Sequence, residues 1–213
     1  MKCLILISTF VYIFAIEVLP QTRKTSKNQT ITYTYIITYY PDKAKNPLAG
    51  IGRSVMKYWI KSNKWRREEI YDDIRRITIV VGGWRYFLVP EKKFGTKTKV
   101  NQFNKFPPDD HDPTTLLKKW LKKGAKKIGN EKINGQECDV YEKHPSKPGE
   151  PKVKIWVRKG DGIVIRVEEE GQIKIFLSEF VRAVHEFKDI KIGMPIDDSL
   201  FTVPMDYQLE EKS

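Results

Sequence analysis

The sequence has few of the residue types that build metal centres and disulfide frameworks. Its 213 residues include two cysteines, Cys3 and Cys138, and three histidines, His111, His144 and His185. Two such distant cysteines exclude both a disulfide framework and the paired spacing of a zinc site. Isolated histidines favour polar surface positions, and Cys138 favours a small buried hydrophobic position. We therefore expect no bound metal and no cofactor.

Motifs that carry enzyme chemistry are missing as well. The chain has no G-x-S-x-G elbow, no glycine-rich phosphate loop and no H-E-x-x-H pair. The carboxylate run Glu168–Glu170 is predicted to be solvated at a hairpin. The acidic stretch Asp109–Asp112 is predicted to start a helix rather than hold a metal, with Asp112 as N-cap and Pro113 at the first helical position. A non-enzymatic protein with no catalytic residues is expected.

Acidic residues are outnumbered by basic ones. There are 27 Asp and Glu against 39 Lys and Arg, which gives a formal net charge of +12. Such a surface favours anionic partners, among them phospholipid headgroups and acidic polymers, although a solvated basic surface with no dedicated partner stays open. The sequence shows no nucleic-acid reader motif, so we expect no nucleic-acid partner.

Long apolar runs are absent except at the N-terminus. Met1 and Lys2 precede an apolar run of about 14 residues that ends at Glu17, which is typical of a secretory signal peptide and marginal for spanning a bilayer. The pattern predicts an exported protein. It leaves open whether the segment is cleaved or stays as an anchor. The predicted organisation is a signal peptide or anchor at 1–20, a linker at 21–29 and one domain at 30–213.

Period-two alternation predicts an antiparallel meander between Glu131 and Phe180. Its four predicted strands cover residues 133–141, 153–159, 162–168 and 172–178, with tight hairpins at 159–162 and at Glu170–Gly171. One continuous aliphatic face is expected, and it contains Val153, Ile155, Val157, Ile163, Ile165, Val167, Ile173, Ile175 and Leu177.

Further strands are predicted upstream, and one helix precedes the meander. The predicted strands are Thr30–Tyr40, 52–60, 64–71, 77–81 and 84–89, while Lys92–Asp112 is expected to be an exposed excursion. The helix covers Thr114–Ile128, with Leu116, Leu117, Trp120, Leu121 and Ile128 on one side and lysines on the other. That apolar stripe packs on the sheet or forms a mobile cover, and the lysines are either solvated or in contact with an anionic membrane.

The order of motifs resembles the outer-membrane lipoprotein-sorting, LolA/LolB-like superfamily of lipid carriers. The resemblance runs from Thr30 to Gln208 and rests on K-Y-W-I-K-S-N-K-W-R-R-E-E, G-G-W-R-Y-F-L-V-P, the helix, G-N-E-K-I-N-G-Q-E-C-D-V-Y, V-K-I-W-V, G-I-V-I-R-V-E and D-D-S-L-F-T-V-P-M-D-Y-Q. It implies an α+β, mainly antiparallel β fold, with an unclosed curved sheet (a half-barrel) and one or two helices across its concave face. It also implies that Arg66 fastens the lid. Two features depart from the family pattern: Arg67 replaces an aromatic residue, and the long N-terminal amphipathic helix is absent.

The resemblance implies an exported, non-enzymatic protein of the periplasm or cell envelope. It would carry or accept lipid or lipoprotein and hold the acyl chains in an apolar half-barrel cavity. The alternative is an extracytoplasmic interaction or sensor module that reuses the fold with a filled core and a basic surface. Expected partners are acyl chains and an anionic membrane surface, and the protein is expected to be a monomer. The predicted lipid-binding residues are Trp65, Trp84, Tyr86, Leu88, Ile155, Val157, Ile163, Ile165, Ile173 and Ile175. The predicted lid residues are Leu116, Leu117, Trp120, Leu121 and Arg66.

Overall fold

The computed structural model of the chain describes residues 29–45, 50–71, 74–100, 111–175 and 178–212. The predicted signal peptide or anchor, most of the linker, and the Asp109–Asp110 pair lie outside these ranges. The described residues form twelve strands and one α-helix: β1 (Thr30–Pro41), β2 (Gly52–Lys61), β3 (Lys64–Tyr71), β4 (Ile74–Val81), β5 (Trp84–Val89), β6 (Phe94–Lys99), α1 (Leu116–Lys122), β7 (Lys126–Ile133), β8 (Gln136–Lys143), β9 (Lys152–Arg158), β10 (Val164–Ile175), β11 (Ser178–Ile192) and β12 (Gln208–Lys212).

All twelve strands belong to one unclosed sheet. Their order is β12-β6-β5-β4-β3-β2-β1-β11-β10-β9-β8-β7, and every described pair is antiparallel except β12 with β6. Strands β2 to β6 extend from one side of β1, and strands β11 to β7 extend from the other. The predicted fold class, a mainly antiparallel half-barrel with a helix across it, is confirmed.

Strand β1 lies at the centre because its sequence suits a strand that is covered on both sides. β-branched and aromatic residues fill it, and none of its positions is fully exposed. Tyr35 is opposite Met56 of β2 and Phe187 of β11, so the two halves of the sheet meet along this strand.

The sheet has two differently covered faces. Helix α1 packs on the first, which we call the helix face, through Leu116 and Leu117. The C-terminal segment packs on the second, which we call the tail face, where Ile196 and Phe201 meet Ile79. Lys61 and Lys64 hold this segment through the Asp198 carboxylate, at 2.7 and 2.6 Å. The main apolar core lies between α1 and the helix face.

The meander differs from the prediction at its third and fourth strands. A hairpin was expected at Glu170–Gly171, but β10 continues from Val164 to Ile175. The pairing with β11 shifts register between Glu170 and Ile173, and Gly171 adopts a φ of 137°. A β-bulge therefore absorbs the glycine, and the chain continues in the same direction.

The helix is shorter than its amphipathic pattern predicts. It ends at Lys122, Gly124 follows with a φ of 90°, and Lys126–Ile133 pairs with β8 as an edge strand. A glycine in this region of φ commonly ends a helix. Ile128, predicted on the helical stripe, lies in β7 and is 55% exposed.

The predicted helix start is also displaced. Thr115 is the N-cap residue of α1, and Asp112 stabilises the preceding turn instead. The Asp112 Oδ1 accepts hydrogen bonds from the Thr114 N–H at 2.9 Å and from the Thr114 hydroxyl at 2.7 Å.

The predicted excursion Lys92–Asp112 contains strand β6. This strand pairs with β5 on one side and with β12 on the other. Its residues F-G-T-K-T-K give almost no apolar alternation because it buries little besides Gly95. Backbone pairing, rather than side-chain burial, defines this strand.

Replacing Gly95 by alanine tests how tightly β5 and β6 pack. The new Cβ would lie 2.6 Å from the Leu88 Cδ2 and 2.7 Å from the Phe87 carbonyl oxygen. Since that oxygen is part of the backbone, we expect Gly95→Ala to lower the free energy of unfolding by about 1–3 kcal/mol in urea titrations. Gly129→Ala is the matched control in strand β7, where nothing lies within 4 Å. Equal stabilities of the two variants would contradict this packing.

Candidate ligand-binding cavity beneath helix α1

A cavity of about 240 Å³ lies between α1 and the helix face. Strands β1, β10 and β11 form the floor of the cavity. Helix α1 forms the cover, together with His111, which precedes the turn before the helix. The lining residues are Tyr35, Ile37, Tyr39, His111, Leu116, Lys119, Trp120, Lys123, Val167, Glu169 and His185. The lining is therefore mixed, with apolar, aromatic and ionisable side chains.

Strand alternation and register bring the floor residues together. Tyr35, Ile37 and Tyr39 share the helix face of β1, since side chains two positions apart point the same way. Ile37 is opposite His185 on β11, and His185 is opposite Val167 on β10. The floor is thus built from residues that are distant in sequence and adjacent across three strands.

Two buried histidines are paired with two buried tyrosines. The Tyr35 hydroxyl shares a hydrogen bond of 2.7 Å with the His185 Nδ1, and the Tyr58 hydroxyl shares one of 2.9 Å with the His111 Nδ1. The Tyr35 and His111 rings stack with their centroids 4.5 Å apart. The prediction of surface positions is therefore wrong for His111 and His185, whereas His144 is 74% exposed.

Burial sets the protonation of this cluster. It lowers the pKa of His111 to about 4, with a smaller effect from the Arg67 charge, and it lowers the pKa of His185 to about 4, with a smaller effect from His111. It also raises the pKa of Tyr58 to about 12. Both imidazoles are therefore neutral at pH 7 and both phenols keep their protons.

Glu169 places a carboxylate in the same cavity. Its Oε1 lies 3.8 Å from the His185 Nε2. Burial raises the pKa of Glu169, and the positive charges of Lys123 and Lys119 oppose that rise. The predicted solvated carboxylate run is wrong at this position, because continuous strand pairing turns the Glu169 side chain towards the helix face.

Several buried polar atoms on the helix face have no hydrogen-bond partner among the described residues. They are the Tyr33 hydroxyl, the Trp65 and Trp120 indole nitrogens, the Arg67 Nε and the His185 Nε2. Two of these residues, Trp120 and His185, line the cavity.

The two adjacent arginines of β3 lie on opposite faces. Arg66, predicted to fasten the lid, points to the tail face, where its Nη1 donates to the Leu200 carbonyl at 2.8 Å and its Nη2 lies 2.6 Å from Glu68. Arg67 points to the helix face, where it contacts Glu69 at 3.2 Å and hydrogen-bonds Tyr58. The structure thus places Arg67, not Arg66, next to the histidine that precedes α1.

The predicted lipid-binding residues do not line one cavity. Trp65, Ile155 and Val157 lie on the helix face. Tyr86 and Leu88 pack in the tail-face cluster, and Trp84 pairs with Val81 on that same face. Sequence alternation identifies which residues share a face within one strand, but it does not relate the faces of separate hairpins.

The other predicted lipid-binding residues lie in or next to β10, where register shifts change the face on which a side chain lies. β10 shifts register against β9 between Val164 and Arg166, so Val164 and Val167 lie on the helix face. Ile165 packs instead with Trp156 and Cys138 on the opposite face. Ile163 is buried just before β10, Ile173 is half-buried, and the Ile175 side chain lies outside the described part.

The four predicted lid residues of the helix are placed together, whereas Arg66 lies on the tail face. Leu116 and Leu117 are buried at 4% and 1% exposure against the helix face, and Trp120 and Leu121 pack beside them. The prediction of Cys138 as a small buried hydrophobic residue is confirmed, since its side chain has 0% exposure.

Sequence reasoning missed the ionisable part of the cavity. His185 has the same strand parity as Ala183 and Phe187, both buried, and that parity was the available signal. His111 had no such signal, because it lies in an irregular segment whose position depends on the turn before α1.

No family model matches this sequence, and no curated protein sequence matches it. Solved structures do match. MucB shares 9% identity, and the match covers 88% of this chain and 62% of that chain with a TM-score of 0.52. This chain therefore spans less than two thirds of the MucB chain. At this level of identity the likeness is one of fold.

Two further matches have lower TM-scores. An uncharacterised conserved protein from Thermus thermophilus matches at 8% identity and a TM-score of 0.49, over 85% of this chain and 90% of that one. A LolA superfamily protein from Nitrosomonas europaea matches at 12% identity and a TM-score of 0.35, over 81% of this chain and 90% of that one.

No described helix is long and apolar enough to cross a membrane. Within the same ranges, no group of three or more His, Cys, Asp or Glu side chains is arranged to hold a metal ion.

The buried histidines should make stability depend on pH. Their folded pKa values of about 4 lie below the ordinary value of 6.5, so the unfolded chain binds more protons in between. Stability should therefore fall as pH drops from 6.5 towards 4, by on the order of 3 kcal/mol per histidine. The pKa of Glu169 is raised in the folded protein, so this residue makes stability increase as pH falls through its own titration range. We expect His185→Gln to flatten the fall in urea titrations taken across this pH range.

His144→Gln is the matched control for that measurement, because His144 is exposed. It should leave the pH dependence of unfolding unchanged. An equal flattening by both variants, or an unaltered slope in His185→Gln, would contradict the assignment of the effect to the buried cluster.

Proposed function

We propose that the protein is an exported, non-enzymatic carrier or acceptor of lipid or lipoprotein acyl chains, which bind on the helix face when α1 moves aside. The observation that carries the proposal is the cover itself. One helix of seven residues closes the apolar face of an unclosed sheet, and a cavity remains beneath it. Export is proposed from the N-terminal sequence alone.

The apolar surface supplies the affinity. Side chains such as Ile37, Leu116 and Val167 line the cavity, and fully buried Ile155 and Val157 belong to the core that continues from it. Each methylene group buried there would contribute about 0.8 kcal/mol. A long chain therefore needs little polar recognition.

Binding of a long acyl chain in this cavity would require α1 to move. The volume of about 240 Å³ lies below the range of roughly 300–1,000 Å³ typical of ligand sites. A long acyl chain would have to take the positions that Leu116 and Leu117 fill in this structure.

The connections of α1 fit such a movement. Before the helix, the Pro113 carbonyl accepts a hydrogen bond of 3.0 Å from the Val164 N–H, which fixes the preceding turn to the start of β10. After it, Gly124 links α1 to β7, and no atom lies within 4 Å of the position that a Cβ would take there. The helix is thus held at its N-terminal side, while at its C-terminal side Gly124 has open space around it and Ala125 is buried in the core.

The cavity chemistry supports a non-enzymatic role. Among the described residues that line it there is no serine, threonine or cysteine to act as a nucleophile. The two histidines engage tyrosine hydroxyls through their Nδ1 atoms. Their buried, neutral state suits a structural position in the floor.

The alternative is an interaction module with a filled core. It is favoured by one observation: Leu117, Ile155 and Val157 are almost fully buried by the other side chains of the core. In that case α1 would stay closed, and partners would bind to the basic surface.

Matched substitutions on the two faces separate the possibilities. Ile155 and Ile79 both have 0% exposure, but Ile155 lies on the helix face and Ile79 on the tail face. We expect Ile155→Thr to weaken uptake of a fluorescent fatty-acid probe severalfold, since it places a hydroxyl against the chain, and Ile79→Thr to retain uptake. Circular dichroism would verify that both variants are folded.

Native mass spectrometry of protein purified from its own host would identify a cargo. A stoichiometric acyl-bearing adduct, reduced in Ile155→Thr and kept in Ile79→Thr, is the expected result. An apo mass with no probe uptake by the unaltered protein would favour the filled-core module. Equal loss in both variants would place the effect in general stability and contradict a helix-face site.

A further inference from the structure

The cover of the cavity carries a concentration of positive charge. From Pro113 to Asn130 the chain has six lysines and no aspartate or glutamate. Three of these side chains, Lys118, Lys122 and Lys123, are exposed on or directly after α1. We call these three residues the lysine patch.

The lysine patch points away from the packed side of the helix. With 100° of rotation per residue, Lys118 and Lys122 lie opposite Leu116 and Leu117, which are buried. Lys123 lies at the cavity, where it is one of the lining residues. The patch therefore extends from the outer surface of the cover to the cavity itself.

Among the described residues, carboxylates near the patch are engaged with other groups. Asp112 caps the turn before α1, and Asp139 forms an ion pair of 3.1 Å with Lys127. Glu169 is largely buried beneath the helix and interacts with Lys119 and Lys123 from the cavity side. The outer surface of the cover, formed by Lys118 and Lys122, thus keeps its positive charge.

We propose that the lysine patch docks the protein on an anionic phospholipid bilayer, with α1 as the contacting element. This inference deepens the proposed function and rests on it for the source of the bound acyl chain. Docking through the cover would place the cavity next to the bilayer from which a chain enters or to which it leaves.

Aromatic and apolar residues beside the patch favour a bilayer over a soluble polyanion. Trp120 is half-buried at the cavity, and the Lys123 Nζ lies 4.7 Å from the centroid of its ring. Tryptophan beside lysine is a combination suited to the level of lipid headgroups. Ile128, 55% exposed on the adjoining strand β7, adds apolar surface. A soluble polyanion would make use of the charges alone.

Vesicle flotation of the full chain tests the proposal. The probes are vesicles of phosphatidylcholine alone and of equal parts phosphatidylcholine and phosphatidylglycerol. We expect binding only to the anionic vesicles, and a steep loss between about 0.1 M and about 1 M NaCl, where the Debye length falls from about 10 to about 3 Å. Each lysine near such a surface contributes a factor of about five, so Lys118→Gln/Lys122→Gln/Lys123→Gln should weaken partitioning on the order of a hundredfold.

A matched triple variant controls for net charge. Lys57, Lys92 and Lys191 are exposed and lie away from the cover, so Lys57→Gln/Lys92→Gln/Lys191→Gln removes the same charge elsewhere. It should retain most of the binding. Equal losses in the two variants, equal binding to both kinds of vesicle, or binding to dextran sulfate without vesicle flotation would each overturn the proposal.

A second readout separates this inference from the proposed function. Uptake of the fatty-acid probe is measured without vesicles, in the unaltered protein and in both triple variants. Normal uptake with no flotation would overturn membrane docking and leave the carrier function standing. Flotation that depends on the lysine patch, with no uptake by the unaltered protein, would support docking and count against the carrier.

Discussion

The pairing of β1 with β11 is the interaction on which the rest of the structure depends. It joins the first strand of the domain to a strand about 150 residues later, as the Tyr35–His185 contact illustrates. Without it the sheet would separate into one half built from β1 to β6 with β12 and another built from β7 to β11. The cavity floor would also disappear, because it consists of side chains from β1, β11 and β10 in register. A single strand pair thus defines both the architecture and the candidate site.

The helix face combines apolar packing with polar side chains. Leu116 and Leu117 bury apolar surface against the sheet and favour closure of α1. Beside them, Tyr35, His185 and Glu169 line the cavity under the same helix. The surface beneath α1 is therefore less uniformly apolar than the core that continues from it.

Much of the fold could be predicted from the sequence, because most strands alternate clearly and most turns contain glycine. The strands before β6, the strands β8 and β9, and the amphipathic start of α1 were recovered in this way. Three features depended on tertiary pairing. Gly171 forms a bulge instead of a hairpin, β6 has almost no apolar alternation, and the segment after Gly124 pairs with β8 although its helical pattern continues.

The candidate site was harder to predict. Alternation cannot relate the faces of different hairpins, so Trp84 and Ile155 were assigned to one cavity although they lie on opposite faces. His111 and His185 meet only through long-range register.

Among the described strands, β7 and β12 form the two edges of the sheet, and their sequences influence whether the protein associates with itself at high concentration. An uncovered edge presents unpaired backbone groups that can add a strand from another molecule. Seven of the eight residues of β7 are exposed, and lysines occur at both ends of that strand. β12 has only five residues, and three of them are charged. Two copies pairing in register through the same edge would place Lys126 and Lys127, or Glu210 and Glu211, beside their own counterparts. Charge therefore disfavours the pairing of like edges, although the sheet does not close into a barrel.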